Sequence, residues 1–196
     1  MAKTAEPSTL ILKSEHPVPF QLAFQTTDGG RRLSRHAKLT SPMLDPVMHG
    51  RKGIDVYFKS IEDGKAGSRF ALDPFEMVSL AAYLQEQAKV RRELERELNR
   101  LLNDWDPKNE IGRGPDIWRR TKIDGVLFSP RTVATPEQAQ FLKKKFGRKA
   151  TKLLEVEFDA PNAVSGCDVA MTPDWAEHLL TAKFRDGRCV ELQVEG

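Results

Sequence analysis

Trp118, Arg119, Arg120 and Lys122 fall within five positions, in the stretch IWRRTK. A flat indole beside three cations suits a polyanion that carries rings of its own. The ring offers a face for a base, and the guanidinium and ammonium groups offer donors for phosphate. A second stretch, GRRLSRHAKL at 30–39, gathers Arg31, Arg32, Arg35, His36 and Lys38 with no acid among them. Arg51, Lys52, Tyr57 and Lys59 come soon after. The net charge of +3 hides a segregation: residues 117–152 carry ten Lys/Arg against two acids, and residues 153–196 carry three against nine. Clustered cations in a nearly neutral chain point to a polyanion-binding face, provided that folding does not scatter them.

Other chemistry has weaker support. The sequence contains no phosphate-cradling GxxxxGK[ST], no GxGxxG and no GxSxG elbow. His16, His36, His49 and His178 lack metal-ligand spacing with one another or with cysteine. Glu155, Glu157 and Asp159 alternate along EVEFD; they suit either the Mg²⁺ site of a nuclease or the polar face of a strand, the commoner cause. KKKFGRK at 143–149 suits a phosphate grip or lysines compensating a helix dipole. Cys167 and Cys189 are too few for a disulfide framework or zinc site and read as core residues on neighbouring strands. No cofactor is expected, and no enzymatic activity.

The elements that must position these residues are set by periodicity. The chain has 196 residues, 39% hydrophobic and 30% charged, enough for a substantial core under a charged surface. No apolar run reaches the ~18 residues of a membrane span, and the N-terminus lacks the layout of a secretory signal. A cytoplasmic protein without membrane contact is expected.

Alternation predicts strands over STLILKSE, PFQLAFQTTD, RRLSRHAKL, GIDVYFKSI and SRFAL, an antiparallel meander over residues 8–72 with a turn at Asp28-Gly29-Gly30. Phe20, Leu22 and Phe24 share one face; Arg32, Ser34, His36 and Lys38 share one face of the next strand. Asp73 and Pro74 then signal one helix of about 30 residues. Its second half narrows to a stripe of Val90, Leu94, Leu98, Leu101 and Leu102. That stripe either packs on the C-terminal part of the chain or pairs with a partner, which makes Val90, Leu94, Leu98 and Leu101 candidate oligomerisation residues. Residues 105–116 read as a linker or ordered loop. Beyond it, strands are expected in IWRRTKIDGVLFS, TKLLEVEFDA, CDVAM and CVELQVE, with capped helices at ATPEQAQFLKKKFG and TPDWAEHLLTAKF.

Two stretches echo one another. SRFALDPFEMVSLAAYL and CDVAMTPDWAEHLLTAKF both run from a short strand through an Ala-x-x-Pro junction into a helical pattern. This suggests two pseudo-repeated α+β halves, although strand-to-helix junctions share this chemistry without being related. The predicted organisation is a tail at 1–7, a meander plus long helix at 8–104, the loop at 105–116, and a second α+β half at 117–196 packed on the first.

This order of elements resembles the Whirly and positive-cofactor-four type of single-stranded-DNA-binding fold, and the ThermoDBP-type archaeal proteins. The resemblance implies an antiparallel sheet backed by helices that offers cations and rings to an unpaired strand, commonly as a dimer. It carries no residue across by alignment. The expected function is therefore non-enzymatic binding of nucleic acid, single-stranded DNA ahead of RNA. The candidates are Arg31, Arg32, Arg35, His36, Lys38, Arg51, Lys52, Tyr57, Lys59, Trp118, Arg119, Arg120 and Lys122. Core packing is the alternative for Trp118. A protein-interaction or assembly factor acting through the helix at 84–104 is the alternative function, and a metal-dependent nuclease a third.

Overall fold

Phe20, Leu22 and Phe24 alternate with Gln21 and Ala23, and here the chain extends with its apolar side chains on one face. A computed structural model describes residues 9–14, 18–27, 32–50, 52–58, 74–128, 132–133, 140, 144, 163–164, 166–185 and 187–195. The first strands are β1 (Thr9–Ser14), β2 (Phe20–Thr27), β3 (Arg32–Thr40) and β4 (Ile54–Phe58), each antiparallel to the last. Leu22, Phe24, Ala37, Leu39, Val56 and Phe58 fill the covered face. Between β3 and β4 lies the one-turn helix α1 (Pro46–His49), capped by the Asp45 carboxylate accepting from Val47 N at 2.8 Å.

The helical pattern splits into α2 (Pro74–Gln85) and α3 (Gln87–Trp105). The single long helix expected is therefore broken at Glu86, where φ is −102° and ψ 16°. Neither glycine nor proline causes the break; tertiary bonds hold it. The Gln87 side chain is buried and donates to Met43 O at 2.8 Å, while its oxygen accepts from Asp45 N at 2.8 Å. Glu86 also packs on the turn at Gly187.

After α3 come a 3-10 turn (Gly114–Arg119), β5 (Thr121–Phe128), a small ribbon of β6 (Thr132–Val133) and β7 (Ala163–Val164), then β8 (Gly166–Pro173), β9 (Leu179–Arg185) and β10 (Arg188–Glu195). The main sheet has eight strands in the order β1-β2-β3-β4-β5-β8-β9-β10. Every neighbouring pair is antiparallel except β4 and β5, which run parallel. A parallel pair needs a long crossover, and α2 and α3 provide it. The expected α+β architecture, an antiparallel sheet backed by helices, is the one observed.

Two expectations are corrected. TPDWAEHLLTAKF is not a helix: Leu180, Ala182 and Phe184 point into the core while Thr181 and Lys183 do not, so residues 179–185 form a strand. Thr172-Pro173 imitates a helix start but closes β8, with Pro173 opposite Thr121. The echo between the halves fails with it, since only the first copy leads into a helix; what is paired instead is two four-stranded antiparallel blocks joined at β4 and β5. The expected strand SRFAL, the turn at 28–30, the helix at 134–147 and the strand TKLLEVEFDA with its three acids lie outside the described residues, apart from isolated positions.

The stripe on α3 takes the first of its two options. Val90, Leu94, Leu98 and Leu102 are buried in the chain's own core and Leu101 is partly buried against it. Each fully buried leucine contributes roughly 1.5–3 kcal/mol to folding. These side chains already have an intramolecular partner, so they present no free seam.

The loop after α3 is ordered. The Asp106 carboxylate accepts from Glu110 N and Ile111 N, both at 2.9 Å, and pairs with Arg113. Arg113 Nη2 donates to Leu102 O at 2.8 Å, satisfying a carbonyl at the helix end. Among the described residues, no helix is long and apolar enough to cross a membrane.

Candidate nucleic-acid interface

Running β4 beside β5 in the same direction sets Ile54 and Thr121 at one end of the sheet. Gly53 lets the start of β4 approach the end of β3 closely. Its φ is +84°, and a Cβ there would collide with the Leu39 carbonyl oxygen. Around these strand starts lies a cleft of about 560 Å³, walled by α1, the 3-10 turn, the first residues of β4 and β5 and the end of β8.

Four of the expected cations meet there. Lys38 comes from β3, and Arg119, Arg120 and Lys122 come from the 3-10 turn and β5. Lys52 is exposed and lies in sequence between two lining glycines, Gly50 and Gly53. Arg119 and Lys122 are the most accessible, with side chains 83% and 80% exposed.

Three carboxylates share the cleft, a feature not anticipated from the sequence. Lys38 Nζ lies 3.4 Å from Asp55, Arg120 Nε donates to Asp174 at 2.9 Å, and Lys122 lies 3.3 Å from Asp124. Arg119 leans 3.4 Å from Asp116, outside the lining. Thr172 donates to Asp124. The cleft is thus only slightly positive, contrary to the unbalanced basic trough expected. Asp55 and Asp174 arrive from other segments of the chain than their partners, whereas Asp124 stands two residues after Lys122 on the same face of β5 and was legible there. Exposed pairs of this kind hold their geometry by at most about 1 kcal/mol, so the cations can exchange a carboxylate for a phosphate oxygen.

His36 and Tyr57 adjoin the cleft on the uncovered face of the sheet. Their rings stack with centroids 5.0 Å apart, and His36 Nε2 lies 3.0 Å from Asp55 Oδ1. Partial burial pushes the Asp55 carboxyl up, but the His36 hydrogen bond and Lys38 outweigh it and hold it below its ordinary range. Tyr57 is 43% exposed. Arg35 is exposed on the same strand as His36. Arg32 pairs through its backbone with Thr27 at the start of β3. Arg31, Arg51 and Lys59 lie outside the described residues.

Trp118 lines the inner wall of the cleft but is largely buried. It is 8% exposed, and its Nε1 donates to Glu95 on α3 at 2.5 Å. The stacking role expected for it is replaced by the core role given as the alternative. The exposed indole is that of Trp105, at 47%, which meets Trp175 edge-to-face at 6.4 Å. Trp105, expected to open the linker at 105–116, instead ends α3, in line with Leu98 and Leu101, and emerges because the helix stops there.

On the inner wall, His49 meets the Tyr83 hydroxyl through Nε2 at 2.8 Å, and burial lowers its pKa to about 4, opposed by Asp45. It stands as a neutral imidazole at pH 7. Cys167 and Cys189 are free and buried, and sit on β8 and β10 with Phe184 of β9 between them, so the two strands are not neighbours. Burial, with Asp168 nearby, pushes the Cys167 thiol up, the opposite of what a nucleophile needs. Among the described residues no group of three His, Cys, Asp or Glu stands close enough to hold a metal ion.

No protein-family model, no curated protein and no solved structure matches the chain.

Proposed function

We propose that this chain binds nucleic acid, single-stranded DNA ahead of RNA, through the cleft at the starts of β4 and β5, and does no chemistry on it. The observation that carries this reading is the convergence of Lys38 with Arg119, Arg120 and Lys122, which are far apart in sequence and share one wall system. Their carboxylate partners give the groove selectivity: a ligand must offer enough phosphate to displace several weak pairs together. The Tyr57 and His36 rings continue the same face, as a strand-tracking surface requires. The element-order resemblance to the Whirly, positive-cofactor-four and ThermoDBP types points the same way. Burial of the α3 stripe takes support from the assembly reading, because the apolar side of that helix is covered by the chain itself.

Fluorescence anisotropy with a labelled oligo-dT tests the reading. Neutralising three to four phosphates on a single strand predicts a log–log salt slope of about −2 to −3. Micromolar or weaker binding that ignores salt would remove the proposal.

A further inference from the structure

Trp105 poses a problem that the core does not solve. It ends a helix whose apolar stripe is otherwise buried, yet nearly half of its surface meets solvent. Its one aromatic contact among the described residues is edge-to-face, which leaves ring surface open. Trp175, beneath it, is fixed: its Nε1 donates to Thr121 Oγ1 at 3.2 Å, and its neighbour Asp174 is held both by Arg120 Nε and by its own N–H donating to Arg120 O at 2.9 Å. The indole pair is therefore anchored to the two residues, Arg120 and Thr121, that start β5 and line the cleft. Lys108, exposed, lies three positions after Trp105.

We infer that Trp105 is the base-stacking platform of the cleft, and that its occupant is an unpaired nucleobase. The inference rests on the nucleic-acid reading above. A half-exposed indole, joined through Trp175 to Thr121 and so to the strand start that carries Arg120, matches what a nucleotide presents, a flat ring attached to a phosphate. In a duplex both faces of each base are already stacked, so the platform selects single strands. The phosphate run then lies along Arg120, Arg119 and Lys122, and the strand enters from the C-terminal end of α3.

Three labelled probes of equal length separate the contributions: oligo-dT, an abasic sugar-phosphate strand, and a duplex. Anisotropy is measured for the wild type, Trp105→Ala and Trp105→Phe, with circular dichroism confirming that each is folded. Stacking predicts that Trp105→Ala weakens oligo-dT binding about tenfold or more, leaves abasic binding and the salt slope unchanged, and that Trp105→Phe recovers most of the loss. It also predicts quenching of wild-type tryptophan emission by oligo-dT alone. If Trp105→Ala binds oligo-dT as the wild type does, the platform is refuted while the phosphate-binding cleft stands. If oligo-dT and abasic strands weaken equally, Trp105 only supports the loop, and the inference is again refuted. If the wild type binds none of the probes, the cleft reading falls as well.

Discussion

Trp118 and Glu95 are joined by a hydrogen bond, indole Nε1 to carboxylate Oε1, that spans the gap between the 3-10 turn and α3. It turns the most obvious ligand-binding ring of the sequence inward. It also helps place the next two residues, Arg119 and Arg120, in the wall of the cleft. Trp118→Ala is expected to cost about 3–5 kcal/mol of stability through lost packing. Trp118→Phe keeps most of the volume but removes the indole donor to Glu95, which keeps its Arg91 pair, costing about 1 kcal/mol. Urea unfolding measures both. A variant as stable as the wild type with lost oligonucleotide affinity would place this ring at the surface instead.

Leu94 and Leu98 serve the intramolecular core. Each changed to alanine should lower stability by about 2–5 kcal/mol without altering the molar mass found by light scattering. A halving of mass with unfolding unchanged would mean that the stripe is a seam between copies.

His49 makes the fold acid-sensitive. Its folded pKa of about 4 lies below the ordinary 6.5, so the unfolded chain binds the extra proton between these values. Stability from this group is complete above pH 6.5 and is lost as pH falls toward 4; from pH 7 to pH 5 the loss is about 2 kcal/mol. His49→Gln should flatten that part of the stability profile. A His49 resonance titrating near 6.5 in the folded protein would contradict the burial that causes the shift.

Gly53 admits no side chain. Gly53→Ala combines a left-handed φ with a collision against the Leu39 carbonyl, and is expected to cost roughly 2–3 kcal/mol or more. Gly50, also at positive φ but with open space around its α-carbon, should tolerate alanine better. Thermal melts of the two variants make the comparison, and equal melting temperatures would argue against the tight β3–β4 junction.

What could be read in advance was what periodicity encodes. Ile54, Val56 and Phe58 alternate and form a strand; Val90, Leu94 and Leu98 recur at helical spacing and form a helix. What could not be read depends on remote partners. The break at Glu86 needs Gln87 to find Met43 O and Asp45 N. Residues 172–184 carry both a helix-start signal and a two-residue alternation, and the sheet edge offered by β8 decides for the strand. Lys38 shares a cleft with Arg120 because β4 and β5 pair in parallel, a choice no local stretch contains. For the same reason Asp174 could not be read as the partner of Arg120, and Trp118, expected at the surface, is buried against α3 instead.

The central claim is that this cleft, rather than diffuse charge, holds phosphate. The direct measurement is the salt slope of oligo-dT binding for Arg119→Ala/Lys122→Ala beside Lys89→Ala, whose cation sits by the β9–β10 turn at the opposite end of the sheet. The account predicts that the double variant loses about 1.4 from the magnitude of the slope, about 0.7 for each contact removed, while Lys89→Ala keeps the wild-type value. Equal slopes in all three proteins would contradict it.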